Sequence, residues 1–363
     1  MTPTFSSWRP PSAGSTVDVS IINGGHFTVP LAWVVKGSIP GHEILSTPCY
    51  SFLIESKSQG ERILFDLGFM KAWKEKQPPS ILGQLEYAGA KVTVERDVAD
   101  QLRAANVPLE SINAIVWSHH HFDHTGDPSL FPTSTSLVVG PGFKTNSTTF
   151  PGYPENPEAV VLSDAFDGRE VVELDFSNVP SRVGGFPAVD YFGDGSFFLL
   201  RSFGHTHDHV SALARTSEGK FIFLGGDVAH HPGAYRPTPL LPLPDEIVPS
   251  PLDTPRSSSV CPGSVFAAVH PARAAELDCR ITPFYELNPA MNASLDDTQI
   301  AVDKMKALDG AAEVFVIIAH DESLRDILPF FPKRINDWDE AGYKRVGTWR
   351  FLKDFVQGVQ GRE

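Results

Sequence analysis

Short runs dense in β-branched and aromatic residues, separated by polar turn residues, recur along this chain. Residues 17–22, 49–55 and 62–66 are such runs, and the polar, glycine-ended stretch 56–60 between the last two predicts a hairpin. Over 95–105 the apolar Val98, Leu102 and Ala105 recur at helical spacing. A compact β-branched strand follows at 112–117, and further strands are predicted at 197–203, 220–224 and 313–318. Residues 295–308 carry a helical period, with Ser294 and Asp297 at capping-box spacing in front of it. Strand and helix signals alternate in both halves, which predicts the α/β class. No sequence repeat at a fixed period is visible.

Three stretches break the pattern. The start is polar and rich in Ser and Pro, and a flexible tail is expected over 1–16. Residues 141–195 hold many aromatics and turn residues, and 232–262 are dense in proline, which cannot form a central strand or a long helix. Both are expected as insertions in a single domain over 17–363, although a chain of 363 residues also has room for two domains. The proline-dense stretch is either an ordered cover over a site or a surface insertion.

Composition narrows the function classes. A net charge of −14 argues against tracking a phosphate backbone or an anionic membrane surface. The three cysteines, Cys49, Cys261 and Cys279, are too few for a disulfide framework, and none has C-x-x-C spacing. The start lacks the apolar core of a secretory signal, and the most apolar run, 311–319, is too short to cross a bilayer. A cytoplasmic protein acting on a small molecule is the expectation. The oligomeric state stays open.

The chemistry is concentrated where the predicted strands end. The strand at 112–117 runs into Ser118-His119-His120-His121-Phe122-Asp123-His124, an H-x-H-x-D-H motif. Three further strands run into Gly204-His205, Gly225-Gly226-Asp227 and Ala319-His320, and an upstream one into Asp66-Leu67-Gly68. Imidazoles and carboxylates so clustered need a cation to hold them together, and this donor set suits zinc, iron or manganese. His119 and His121, two apart, project to one side, and His205 completes a first site. Asp123 and His124 face a second point with His320, and Asp227 has two oxygens with which to bridge. The expected cofactor is two divalent ions, with zinc first among the metals this donor set suits. His120, between two ligands, is expected to point away, and His209 to orient neighbouring backbone. His26, His42 and His270 stand isolated.

This order of motifs resembles the metallo-β-lactamase superfamily, from the 65–68 segment to His320. The resemblance implies an αββα sandwich with a binuclear site at one edge and the same seven ligands. It also implies a metal-bridging hydroxide that attacks a carbonyl, with Asp123 orienting the nucleophile. Within the superfamily the chain is most similar to lactonase-like hydrolases of small cyclic esters. Those place a tyrosine three residues after the bridging aspartate, where this chain has His230, an imidazole able to donate a hydrogen bond or a proton. That departure brings cyclic amides such as benzoxazolinone-type γ-lactams alongside lactones. The resemblance places Phe27, Phe69 and Met70 beside the metals as substrate contacts, with the proline-dense stretch opposite, although Phe27 and Phe69 also read as ordinary core. The alternative activity is hydrolysis of an acyl-carrier-protein or glutathione thioester. A metal-stabilised scaffold that only binds a ligand is the rival from a different class.

Overall fold

The computed structural model describes residues 9–11 and 13–361. Thirteen strands carry the architecture: β1 (Val17–Pro30), β2 (Ile44–Ser56), β3 (Glu61–Phe65), β4 (Lys91–Thr93), β5 (Ala114–Val116), β6 (Ser136–Val139) and β7 (Val171–Glu173) form one sheet. The second sheet holds β8 (Arg182–Val183), β9 (Phe186–Asp190), β10 (Phe197–Arg201), β11 (Val210–Ser217), β12 (Lys220–Leu224) and β13 (Val314–Ile317). The first sheet runs β4-β1-β2-β3-β5-β6-β7 and the second β13-β12-β11-β10-β9-β8.

The expected hairpin is present: β2 and β3 pair antiparallel, Phe52 opposite Phe65. Next, β3 pairs parallel with β5, a connection that needs a crossover. The helix Val98–Ala104 lies within it, with Asp97 accepting the Asp100 N–H as N-cap. In the second sheet β12 pairs parallel with β13 after the helix Leu295–Asp309, whose N-cap Ser294 accepts from the Asp297 N–H.

Side-chain alternation sorts the core into three layers. Val19, Phe52, Ile63 and Val116 of the first sheet meet Leu199, Ala212, Ile222 and Phe315 of the second. The opposite face of the first sheet (Leu53, Leu64, Ile115) packs on Val98 and Leu102. That of the second (Leu213, Phe223, Val316) packs on Val302, Met305 and Leu308. The result is an αββα sandwich. No helix among the described residues is long and apolar enough to cross a membrane.

Two expectations about the irregular stretches change. Residues 1–8 and 12 of the expected tail lie outside the described residues, but 13–16 are anchored: the Ser15 N–H donates to Asp194 O at 2.9 Å. The proline-dense stretch is folded into the core beside the Leu295–Asp309 helix, burying Tyr235, Leu243 and Ile247. There the buried Arg236 forks onto both Asp309 oxygens at 2.7 and 2.6 Å.

Candidate active site

The ends of β3, β5, β10, β12 and β13 converge at one edge of the sandwich. Each strand stops where its register runs out, and the next few residues turn outward carrying a ligand-type side chain. Gly226 makes the Asp227 turn possible: its φ is 53°, and a Cβ there would lie 2.9 Å from His209 Nε2. His209 accepts the Asp227 N–H through that Nε2 at 2.9 Å, the backbone-orienting part expected for it.

Two groups form around Asp227. His119, His121, His205 and Asp227 are one; Cys49, Asp123, His124 and His320 are the other. Asp227 Oδ2 lies 3.7 Å from His119 Nε2 and 3.5 Å from His205 Nε2. Its Oδ1 lies 3.3 Å from His124 Nε2 and 3.2 Å from His320 Nε2. Asp123 Oδ2 is 3.3 Å from His320 Nε2 and 3.7 Å from His124 Nε2. Ligands about 2.0–2.1 Å from a tetrahedral ion stand about 3.3–3.4 Å from one another, so these spacings fit two ions sharing one carboxylate.

The tautomers fit as well. His124 Nδ1 bonds Asp66 Oδ2 at 2.8 Å and His320 Nδ1 bonds Pro48 O at 2.8 Å, which turns both Nε2 lone pairs inward. His119 Nε2 is buried, faces the centre and has no hydrogen-bond partner among the described residues. Burial, then neighbouring imidazoles, hold His119 well below the usual histidine range. Burial and His120 bring His121 to about 3, and burial and His121 depress His205, so the imidazoles of the first group stay neutral, with His205 Nε2 and His121 Nδ1 3.0 Å apart. In the second group burial again opposes charge, but the surrounding carboxylates hold His124 well above its usual range, as Asp227 does for His320. A bound cation would take the place of those protons.

Two of these supports escaped sequence reasoning. Asp66, in the left-handed region at φ 61°, accepts the Ser118 N–H at 2.6 Å as well as bonding His124. Its place after a strand was visible, but its role needed the β3–β5 pairing. Cys49 donates its thiol to Asp123 O at 2.8 Å, and burial pushes that thiol's pKa up.

A cavity of about 520 Å³ opens over the two groups. Its walls are mainly apolar, with Phe27, Trp33, Leu45, Phe122, Val160 and Met291, while Asn146 and Thr148 add polar points. His121, Asp123, His205, Asp227, His230 and His320 line its floor. Phe27 is therefore where the resemblance placed it, but Phe69 and Met70 are not on the wall. Phe69 is fully buried behind Phe27 and Phe122, at ring distances of 5.7 and 5.4 Å, because its N–H is tied to Gly24 O. Met70 is buried beside a separate crevice with Trp117. None of residues 232–262 lines the cavity; the 290–293 turn and the 146–160 stretch stand there instead.

His120 does not join the ligands, as expected, yet it lines the cavity. Its Nδ1 bonds the buried Asp208 Oδ1 at 2.7 Å. Burial works against the Asp208 charge, but His120 and Thr206 hold its carboxyl below the usual range. His42, expected to be isolated, joins His231 and Asp354 in another group of ligand-type atoms. There the Gly233 N–H donates to His231 Nδ1 at 3.0 Å, leaving the proton on Nε2 for Asp354 at 3.1 Å. The His231–Asp354 pair is thus satisfied without an ion.

Comparison with known proteins agrees with this geometry. The metallo-beta-lactamase superfamily profile matches residues 46–259. The Fusarium pseudograminearum protein named gamma-lactamase FDB1 is 39% identical, over 95% of this chain and 84% of that relative. The chain belongs to the metallo-β-lactamase superfamily. It is also 38% identical to the cytochrome P450 monooxygenase mpaDE' of Penicillium brevicompactum, over 97% of this chain but only 39% of that protein's length. Among solved structures, a quorum-quenching N-acyl homoserine lactone hydrolase shares the fold: TM-score 0.56 at 14% identity, covering 88% of this chain and 99% of the other.

Proposed function

We propose that this chain is a metal-dependent hydrolase that opens a small cyclic amide or ester, with γ-lactams and lactones as the substrate class. The observation that carries the reading is Asp227, whose two oxygens face two separate sets of imidazoles beneath a largely apolar cavity. His119, His121 and His205 would hold one divalent ion, and Asp123, His124 and His320 the other, with Asp227 shared. Two such ions, proposed as zinc, would lower the pKa of water and polarise the scissile carbonyl.

The chain's own groups then have assignable parts. Asp66 and the Pro48 carbonyl fix the inward tautomers of His124 and His320. Asp123 Oδ2 faces the second group from the cavity floor, placed to orient the attacking water. His230 Nε2 is 3.3 Å from Asp227 Oδ2, and its ring stacks on His320 at 5.8 Å with 6° between the planes. From there its imidazole stabilises the oxyanion or protonates the leaving group. The apolar walls exclude water and hold the ring's hydrocarbon part.

The gamma-lactamase relative supports cyclic amides. A thioester of glutathione or a carrier protein is less well served, since no Lys or Arg is among the described residues lining the cavity. The test is a hydrolysis screen of zinc-loaded protein against lactones, γ-lactams, thioesters and phosphodiesters. Ring opening with gain of one water is the expected result; turnover confined to thioesters or phosphodiesters contradicts the reading.

A further inference from the structure

The Gly204-His205-Thr206-His207-Asp208-His209 turn does more than supply one ligand. His205 faces the first ligand group and His209 fixes the Asp227 backbone, while Asp208 reaches across to His120. The turn is held rigidly: the Val210 N–H donates to Ser118 O at 2.8 Å. On its other side it rests on Gly140, where a Cβ would lie 1.7 Å from Asp208 O, so no other residue fits there. Asp208 is buried and its contact with His120 is 2.7 Å, so the pair is a built feature and not a surface encounter.

The contact fixes the tautomer. An ionised aspartate only accepts, so the His120 proton sits on Nδ1 and is donated to Asp208. In the neutral ring Nε2 then carries a lone pair. It makes no hydrogen bond among the described residues, and the ring borders the cavity next to His121 and Asp123. An acceptor there, in a wall that is otherwise mainly apolar, needs a donor on the ligand.

We propose that the Asp208–His120 pair determines specificity by accepting the ring N–H of a cyclic amide. The assignment rests on the hydrolase reading above and narrows it: secondary lactams are favoured over N-alkylated lactams of the same ring. Such a preference follows from the general rule that a site built to bond a polar group discriminates against the analogue lacking it.

The test compares kcat/KM for benzoxazolinone and its N-methyl derivative in zinc-loaded wild type, His120→Leu and Asp208→Asn, with metal content measured for each. Wild type should prefer the N–H compound by about tenfold or more, the yield of one hydrogen bond. Both variants should bring the ratio close to one through loss on the N–H compound, with metal content unchanged. Asp208→Asn frees the tautomer without altering the cavity, so it separates hydrogen bonding from steric exclusion of the methyl group and serves if His120→Leu folds poorly. A ratio unchanged in Asp208→Asn, or equal loss on both compounds, overturns the proposal. If benzoxazolinone is inert while other lactams or lactones in the screen are opened, this inference alone falls. If nothing in the screen is opened, the hydrolase reading falls with it.

Discussion

At the scale of single residues, His230 carries the most weight beyond the ligands. It lies between His205 and His320, at ring distances of 4.8 and 5.8 Å, and borders the cavity without belonging to either ligand group. His230→Ala should lower turnover by roughly 10²–10³-fold, the usual effect of losing one oxyanion donor. Zinc content by elemental analysis should stay at the wild-type value. A variant with normal turnover would leave the oxyanion to the metals alone. The candidate ligands were legible in the chain because imidazoles and carboxylates so closely spaced are costly to bury without a cation. The roles of Asp66, Asp208 and Cys49 were not, because each acts on a residue 58, 88 or 74 positions away. Nothing local distinguishes such a partner from an ordinary turn aspartate or a buried thiol.

At the scale of elements, strands were readable but, apart from the β2–β3 hairpin, their neighbours were not. The 220–224 run is β12 at both ends, and the 295–308 helix extends by one residue to Asp309. Period and capping are local properties, so they survive folding. The 232–262 stretch shows the opposite case: its prolines excluded regular structure but could not say which surface it packs on. Its attachment depends on Arg236, buried with Asp309 and also donating to Thr348 O at 2.9 Å. Arg236→Met leaves the Asp309 carboxylate buried without its cation. The expected loss is about 3–5 kcal/mol of stability, measured by chemical denaturation. A loss below about 1 kcal/mol would mean that water reaches Asp309 freely.

At the scale of the whole molecule, the two sheets matter because each delivers part of the site. The end of β5 brings His119, His121, Asp123 and His124, while β10, β12 and β13 bring His205, Asp227 and His320. The site exists only when the sandwich is closed, which is why the sequence could suggest its chemistry but not its walls. Phe27 was foreseen on the cavity, whereas Phe69 fell one layer behind it and Asn146, Thr148 and Val160 came from a stretch read as an insertion. Central to the proposed chemistry are two divalent ions shared through Asp227 and both needed for ring opening. The most direct measurement is a zinc titration of chelator-stripped protein, following γ-lactam opening and bound metal together. Activity should be absent without zinc and should rise until two equivalents per chain are bound. Full activity at one equivalent, with no second ion taken up, would contradict it.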